Sequence, residues 1–282
     1  MNKQQAALLS ICSNTMLIII KIFAGVMMGS ISIISEAVHS SMDLLASLIA
    51  FFSIKKADTP EDSDHPFGHG KYENVSGLIE ALLIFLAAAL IIFEAGKKLI
   101  SGSGPLSVDA GIYVMLTSAI VNFTISRMLY GTAKKTGSMA LEADALHLMT
   151  DVYTSLGVFG GLILLKLTGI KLLDPLIALG VAVLIIITSL DLTKRSVGDL
   201  VDTSLPEEEI RKVISIFETY PQITSYHKLR TRKCGNKKEI DAHLQVSSTI
   251  SLSDAHALCD CIENDIRKVF PNSYIMLHIE PV

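Results

Sequence analysis

ISIISEAVHSSMDLLASLIAFFSI (residues 31–54) is apolar and long enough to cross a bilayer as a helix, yet His39 and Asp43 stand near its middle. A spanning helix takes about 20 residues, and an ionisable side chain inside one is costly unless it is paired or holds a cation. The pattern returns later in the chain. AVHSSMD (37–43) and ALHLMTD (145–151) both read Ala, aliphatic, His, three residues, Asp. Residues four apart share one helix face at about 6 Å, so His39 and Asp43 point the same way, as do His147 and Asp151. Two such helices facing each other offer two imidazole nitrogens and two carboxylates, a set that suits a tetrahedral Zn²⁺. One pair alone reads equally well as a polar staple between helices; a second copy at the same spacing favours the metal.

The rest of the composition agrees with a membrane setting. Half of the 282 residues are hydrophobic, too many for an ordinary soluble domain of this length. The net charge of −4 and the lack of a long basic tract argue against nucleic acid as a partner. Tryptophan is absent, so an interfacial aromatic belt would rest on Tyr and Phe. Cys12, Cys234, Cys259 and Cys261 follow neither a CxxC spacing nor a secreted framework and are read as reduced thiols. The first apolar run follows a charged start but lacks a small-residue cleavage site, so it is expected to be a retained span.

Six apolar segments are expected to span, at 7–29, 31–54, 76–99, 107–130, 139–166 and 174–192. GSIS (29–32) joins the first two, Gly102, Gly104 and Pro105 break the third from the fourth, and LTGIKLLDP joins the last two. Lys3, Lys55, Lys56, Lys71, Arg127, Lys134, Lys135, Lys194 and Arg195 fall on one side, against Lys97, Lys98, Lys166 and Lys171 on the other. That bias predicts both termini in the cytoplasm. Residues 1–200 are thus expected to form an α-helical membrane domain of six transmembrane helices.

From Pro206 the texture changes. PEEEIRKVISIFETY reads as a helix with an acidic first turn. HKLRTRKCG and GNKKEIDAHLQVS read as two strands around a Gly-Asn turn, SLSDAHALCDCIENDIRKVF as a helix capped by Ser or Asp, and SYIMLHIE as a last strand. Residues 206–282 are therefore expected to form a C-terminal α+β domain, αββαβ, with helices on one face of a sheet. His243 falls on the polar face of its strand, and His278 and Glu280 share a face, because strand side chains repeat every two residues. His227 opens the first strand and His256 lies near the start of the second helix. Together these residues suggest one or two zinc sites, with Glu280 able to bridge. In the loop EDSDHPFGHGKYE, Asp62, His65 and His69 are close enough in sequence to share an ion, and Gly68 and Gly70 let the backbone bend around it. Glu36, Glu142 and Asp144 read more simply as helix-end or cavity-lining charges.

The paired HxxxD motifs, the FGHGK loop, the LRTR strand after a histidine and the order of six spans then αββαβ identify a resemblance over essentially the whole chain. The sequence resembles the cation diffusion facilitator family of divalent-metal/proton antiporters, of the zinc-transporting type. The resemblance implies a homodimer with metallochaperone-like cytoplasmic domains. It implies that His39, Asp43, His147 and Asp151 form the transport site and that Asp62, His65 and His69 form a loop site. It further implies that His227, His243, His256, His278 and Glu280 build a two-metal cluster joining the subunits, and that Lys71 and Asp202 form a charge pair that interlocks the dimer. Relatives often carry Asp where Glu280 stands, and some carry a polar residue where Ile279 stands.

A mechanism follows from ligand protonation. Metal binds only neutral imidazole, so loading releases protons, and protons arriving from the acidic side displace the metal. The expectation is an integral multi-pass protein of the bacterial inner membrane, in contact with lipid, that exports Zn²⁺, or Cd²⁺ or Co²⁺, in exchange for protons. Export of Fe²⁺ or Mn²⁺ stays open, as does a membrane-anchored metal sensor. An intramembrane zinc hydrolase is disfavoured, because there is no HExxH and four protein ligands leave no open position for water; the chain is expected not to be an enzyme.

Overall fold

The computed structural model describes residues 1–28, 31–101, 111–168 and 172–282. Gly29 and Ser30 of the expected GSIS turn, the break at Gly102, Gly104 and Pro105, and positions 169–171 of the last connection lie outside the described residues. So do the side chains of Glu36 and His39, whose backbone is helical. The chain divides into two compact units, Met1–Val197 and Gly198–Val282.

Six long helices build the first unit: α1 (Lys3–Met28), α2 (Ile31–Ala57), α3 (Tyr72–Ser101), α4 (Gly111–Thr136), α5 (Met139–Thr168) and α6 (Leu173–Leu200). Small residues let these helices approach closely. Ala6, Ala7, Ala50, Ala133, Ala140 and Ala145 are all buried in one cluster from α1, α2, α4 and α5, as expected where packing rather than water drives association. Gly77 of α3 serves the same end: a Cβ there would stand 2.8 Å from Met139 Cγ and 2.9 Å from Ser196 Oγ. Ser189 ties α6 to α3 by donating to the carbonyl of Ala81 at 2.7 Å.

The distribution of polarity in this unit is inverted. Ser10, Asn14, Lys21, Ser47, Glu80 and Asp144 are buried, while Met16, Phe23, Phe85, Leu90, Phe93 and Ile187 are exposed. An apolar exterior of that extent is unfavourable in water. By length and composition, three helices among the described residues can cross a membrane: Lys3–Ala24, Tyr72–Lys97 and Pro175–Leu200. The sequence reading expects six. The other three, α2, α4 and α5, each include residues whose side chains lie outside the described set, and the three spans named are those found among the described residues.

The second unit holds α7 (Glu207–Glu218), β1 (Ile223–Cys234), β2 (Lys237–Val246), α8 (Leu252–Val269) and β3 (Ser273–Pro281). The sheet order is β1-β2-β3, with β1 antiparallel and β3 parallel to β2. Antiparallel β1 and β2 need only the two-residue Gly235–Asn236 turn, in which Gly235 takes a φ of 61°. The parallel step from β2 to β3 needs a crossover, which α8 supplies. Ile240, Ala242, Leu244 and Val246 alternate inward along β2 and pack with Val213 and Phe217 of α7 and with Leu258, Ile262 and Ile266 of α8. Both helices therefore cover one face and leave the other to His243 and its neighbours.

Helix starts in this unit follow local chemistry. Ser251 caps α8 by accepting from the Asp254 N–H at 3.1 Å, and its hydroxyl donates to the Asp254 carboxylate at 2.6 Å. No side chain caps α7, which begins after Pro206; Glu207, Glu208 and Glu209 occupy its first turn, where the helix dipole favours negative charge.

Candidate metal centres

In the first unit, three of the four expected intramembrane residues converge. His147 Nε2 lies 3.2 Å from Asp43 Oδ1. Asp43, His147 and Asp151 each place a ligand atom within 4.8 Å of the others. The i, i+4 spacing puts His147 and Asp151 on one face of α5, and the packing of α2 on α5 brings Asp43 opposite. The fourth residue, His39, has its side chain outside the described set. One nitrogen and two carboxylates, all inside a helical bundle, form a donor set that fits a divalent cation as cargo and would be costly to leave uncompensated.

Several residues that hold this cluster escape a reading by spacing. Asn122 of α4 donates to Asp151 Oδ2 at 3.3 Å. Asn14 of α1 donates to the backbone carbonyl of Asp43 at 3.4 Å and to Ser47 Oγ at 2.8 Å, and Ser47 in turn donates to Asp144 Oδ1 at 3.1 Å. Lys21, buried in α1, donates to Ser40 Oγ at 2.8 Å. Lys21, between Ile20 and Ile22, and Ser47, between Ala46 and Leu48, are lone polar residues in apolar runs, and that solitude was the available signal. Asp144 is wholly buried. Glu142 is a helix-end charge paired with Arg195 at 2.8 Å.

At the end of the bundle where α1, α3 and α5 begin, Lys3 Nζ bridges Asp58 and Glu73, at 2.7 Å from each. Ser138, just before α5, donates to the other oxygen of Glu73. Beside this junction lies the α2–α3 loop. Asp62 Oδ1 stands 3.1 Å from His65 Nδ1, Asp62 Oδ2 stands 3.3 Å from His69 Nε2, and the two rings are 4.3 Å apart. The turn is made possible by Gly68, at φ +81°. The Asp62 carboxyl is held below its ordinary value chiefly by the His65 backbone N–H, with the two imidazoles adding to the effect. His69 is buried, and neither of its ring nitrogens has a well-formed hydrogen bond among the described residues. A buried imidazole beside a carboxylate and a second imidazole fits a small cation-binding loop.

The third cluster lies on the open face of the sheet in the second unit. Register pairs His227 with His243 across β1–β2, and His243 with His278 across β2–β3. Glu280, two residues on in β3, reaches His243 Nδ1 at 2.7 Å, His227 Nε2 at 3.2 Å and His278 Nε2 at 3.8 Å. Its carboxyl is held below its ordinary value by the hydrogen bond from His243, with the charges of His227, His243 and Lys228 assisting. A register shift between His227 and Arg230, with Lys228 at φ 49°, re-aims the end of β1. His227, His243 and Glu280 place ligand atoms within 4.8 Å of one another. His256 stands apart from this group. It is exposed on α8, with Asp260 one turn on at 3.7 Å.

Of the expected charge pair, Lys71 belongs to the first unit and Asp202 to the second. Within its own unit, Asp202 lies 3.2 Å from Arg232, which also pairs with Glu239.

Residues 7–201 match the cation efflux transmembrane domain, and residues 205–282 match the cation efflux protein cytoplasmic domain. An uncharacterized transporter of Synechocystis is 37% identical over 265 residues, covering 93% of this chain and 85% of the relative. The cation-efflux pump FieF of Yersinia pestis is 34% identical over 284 residues, covering 98% of this chain and 92% of the pump. Among solved structures, the metal-bound C-terminal domain of the CzcD transporter from Thermotoga maritima is 25% identical, with 26% of this chain and 87% of that domain covered and a TM-score of 0.26. The chain belongs to the cation diffusion facilitator family, and is thus a multi-pass cation efflux transporter rather than an enzyme.

Proposed function

We propose that this transporter exports Zn²⁺ from the cytoplasm in exchange for protons, with Cd²⁺ and Co²⁺ as further substrates, through His39, Asp43, His147 and Asp151. The observation that carries this reading is the approach of Asp43, His147 and Asp151 inside the bundle, with His147 Nε2 3.2 Å from the Asp43 carboxylate. With cargo bound, His147 offers a neutral nitrogen and the two aspartates neutralise the cation. Without cargo, a proton on Nε2 lies between His147 and Asp43, so the same atoms hold either proton or metal. Cation and proton therefore exclude one another, and exchange follows from that competition. Asn122 orients Asp151 and Ser47 fixes α2 against α5, which keeps the donors aimed at one point.

In this reading all six helices, α1–α6, cross the bacterial inner membrane, lipid covers their apolar exterior, and both termini face the cytoplasm. Residues 1–200 form the membrane domain and 206–282 the cytoplasmic one. The loop residues Asp62, His65 and His69 bind metal at the cytoplasmic surface. His227, His243, His278 and Glu280 bind Zn²⁺ on the open sheet face, and the exposed His256 completes the cluster in a homodimer, where metal biases the membrane helices. Lys71 and Asp202 interlock that dimer. Fe²⁺ and Mn²⁺ are the alternative cargo favoured by the two carboxylates; the imidazoles of His39 and His147 tilt the choice to zinc. The test is Zn²⁺ flux in reconstituted vesicles under an imposed pH gradient, beside Asp151→Ala. Flux that follows the gradient and is lost in the variant supports exchange through this site, whereas equal flux in both removes the site from the path.

A further inference from the structure

Asn122 of α4 meets the intramembrane cluster through one end of its amide. The residue is 6% exposed. Its Nδ2 donates to Asp151 Oδ2 at 3.3 Å, and the direction is set by chemistry, since an ionised carboxylate only accepts. The other end, Oδ1, is buried and has no hydrogen-bond donor among the described residues. A buried amide left half satisfied costs stability. Nor is it needed to dock α4 on α5. Ser126, one turn further along α4, donates to the carbonyl of Ala145 at 2.7 Å, and Ile125 and Leu129 pack in one apolar cluster with Leu141, Ala145 and Leu148. Asn122 thus stands beside the cluster at a cost to the fold, and what it acts on is one carboxylate oxygen.

A carboxylate can bind a cation through one oxygen or through both. An oxygen already engaged by an N–H is a poorer second donor. Zn²⁺ takes four ligands in a tetrahedron, whereas Mn²⁺ prefers six, mostly oxygen. We propose that Asn122 sets the choice of cargo: by holding Asp151 Oδ2 it confines Asp151 to a single donor oxygen, which keeps the cluster at a donor count suited to Zn²⁺ and short of the one Mn²⁺ prefers. This rests on the reading above, in which cargo occupies the cluster of Asp43, His147 and Asp151. Without the amide, Asp151 is free to chelate, and the oxygen share of the site rises. The same freedom loosens the aim of Asp151 at a tetrahedral cation. Zinc and manganese therefore respond in opposite directions, a signature that slackened packing alone does not produce. Asn122 touches no cargo in this account; it is a positioning residue that acts through Asp151.

The full chain in detergent micelles, carrying Asp62→Ala and Glu280→Ala to disable the loop and sheet clusters, is titrated with Zn²⁺ by calorimetry and with Mn²⁺ by electron paramagnetic resonance of the free ion. The same chain with Asp43→Ala defines the binding that belongs to the bundle. Asn122→Leu removes the amide at similar volume, Asn122→Ala removes it with less bulk, and Asn122→Gln keeps it; melting without metal reports folding, and the alanine variant carries the test if the leucine variant does not fold. We expect the ratio of Zn²⁺ to Mn²⁺ affinity to fall by about tenfold or more in Asn122→Leu and Asn122→Ala, with Mn²⁺ bound more tightly than by the background chain, and to stay near that of the background in Asn122→Gln. An unchanged ratio in a folded variant, or both cations weakened by the same factor, overturns the proposal while leaving the cluster as the cargo site. Zinc binding in the background chain that is indifferent to Asp43→Ala overturns the cargo site and this inference together.

Discussion

The intramembrane cluster and the cluster on the sheet use the same side chains in opposite surroundings. Asp43 and His147 are buried, whereas His227, His243 and Glu280 are each partly open to solvent. In the bundle a carboxylate without a cation has little water to turn to, so in the proposed mechanism proton and metal alternate there. On the sheet, water compensates Glu280 and its histidines when no metal is bound, so the cluster can fill and empty with cation concentration. One arrangement suits obligatory exchange, and the other suits sensing.

The largest effect should come from breaking the buried side. Removing one partner of a buried charged pair costs about 3 kcal/mol or more, which corresponds to a loss of roughly a hundredfold in affinity. Asp43→Ala should therefore abolish zinc-dependent flux in vesicles, and flux retained at the native level would place the exchange elsewhere. On the open side, Glu280→Ala removes the carboxylate that reaches three imidazoles. Calorimetry on residues 205–282 should show zinc affinity lower by about 10–100-fold, while flux at saturating zinc falls far less.

Asn122→Ala sharpens the buried side more gently. It leaves every ligand in place but frees Asp151 from the 3.3 Å hydrogen bond. An apparent zinc affinity lower by about tenfold, with maximal flux nearly kept, is the expected signature of a positioning residue.

The smallest effect lies away from any metal. Tyr220 donates to Asp265 Oδ2 at 2.7 Å, and Asp265 is held below its ordinary value by Lys268 first and Tyr220 second. A depressed carboxyl contributes stability that is present above its unfolded pKa and lost as pH falls through the folded one. Tyr220→Phe should lower the melting temperature of the second unit slightly at neutral pH, with the difference fading below the ordinary Asp range near 3.8. A gap that persisted in acid would assign the effect to packing instead. The Tyr220 hydroxyl, pushed up to about 12 by burial and then by Asp265, stays protonated across the same range.

What the sequence made legible follows from periodicity. His147 and Asp151 repeat at helical spacing, and β2 alternates so cleanly that the face of His243 could be read from its neighbours. The order α7-β1-β2-α8-β3 announced itself through caps, the Gly-Asn turn and acidic first turns. What stayed hidden depends on contacts between distant segments. Asn122 and Asn14 find their partners on other helices, and no spacing within one segment reveals them. Asp144 was read as a helix-end or cavity-lining charge, but its hydrogen bond from Ser47 emerges only when α2 meets α5. The bulge at Lys228 carries no glycine signal, and His256, grouped with the other tail histidines on residue type alone, stands on the exposed side of a helix.

The central claim is that cargo and protons compete for the same atoms in the bundle. It is tested most directly by counting the protons released when Zn²⁺ binds the full chain with Asp62→Ala and Glu280→Ala, using calorimetry in buffers of different ionisation enthalpy. The account predicts proton release that grows as pH falls toward the imidazole range and that His147→Ala sharply reduces. Zinc binding with the same affinity but without proton release, at every pH, would contradict it.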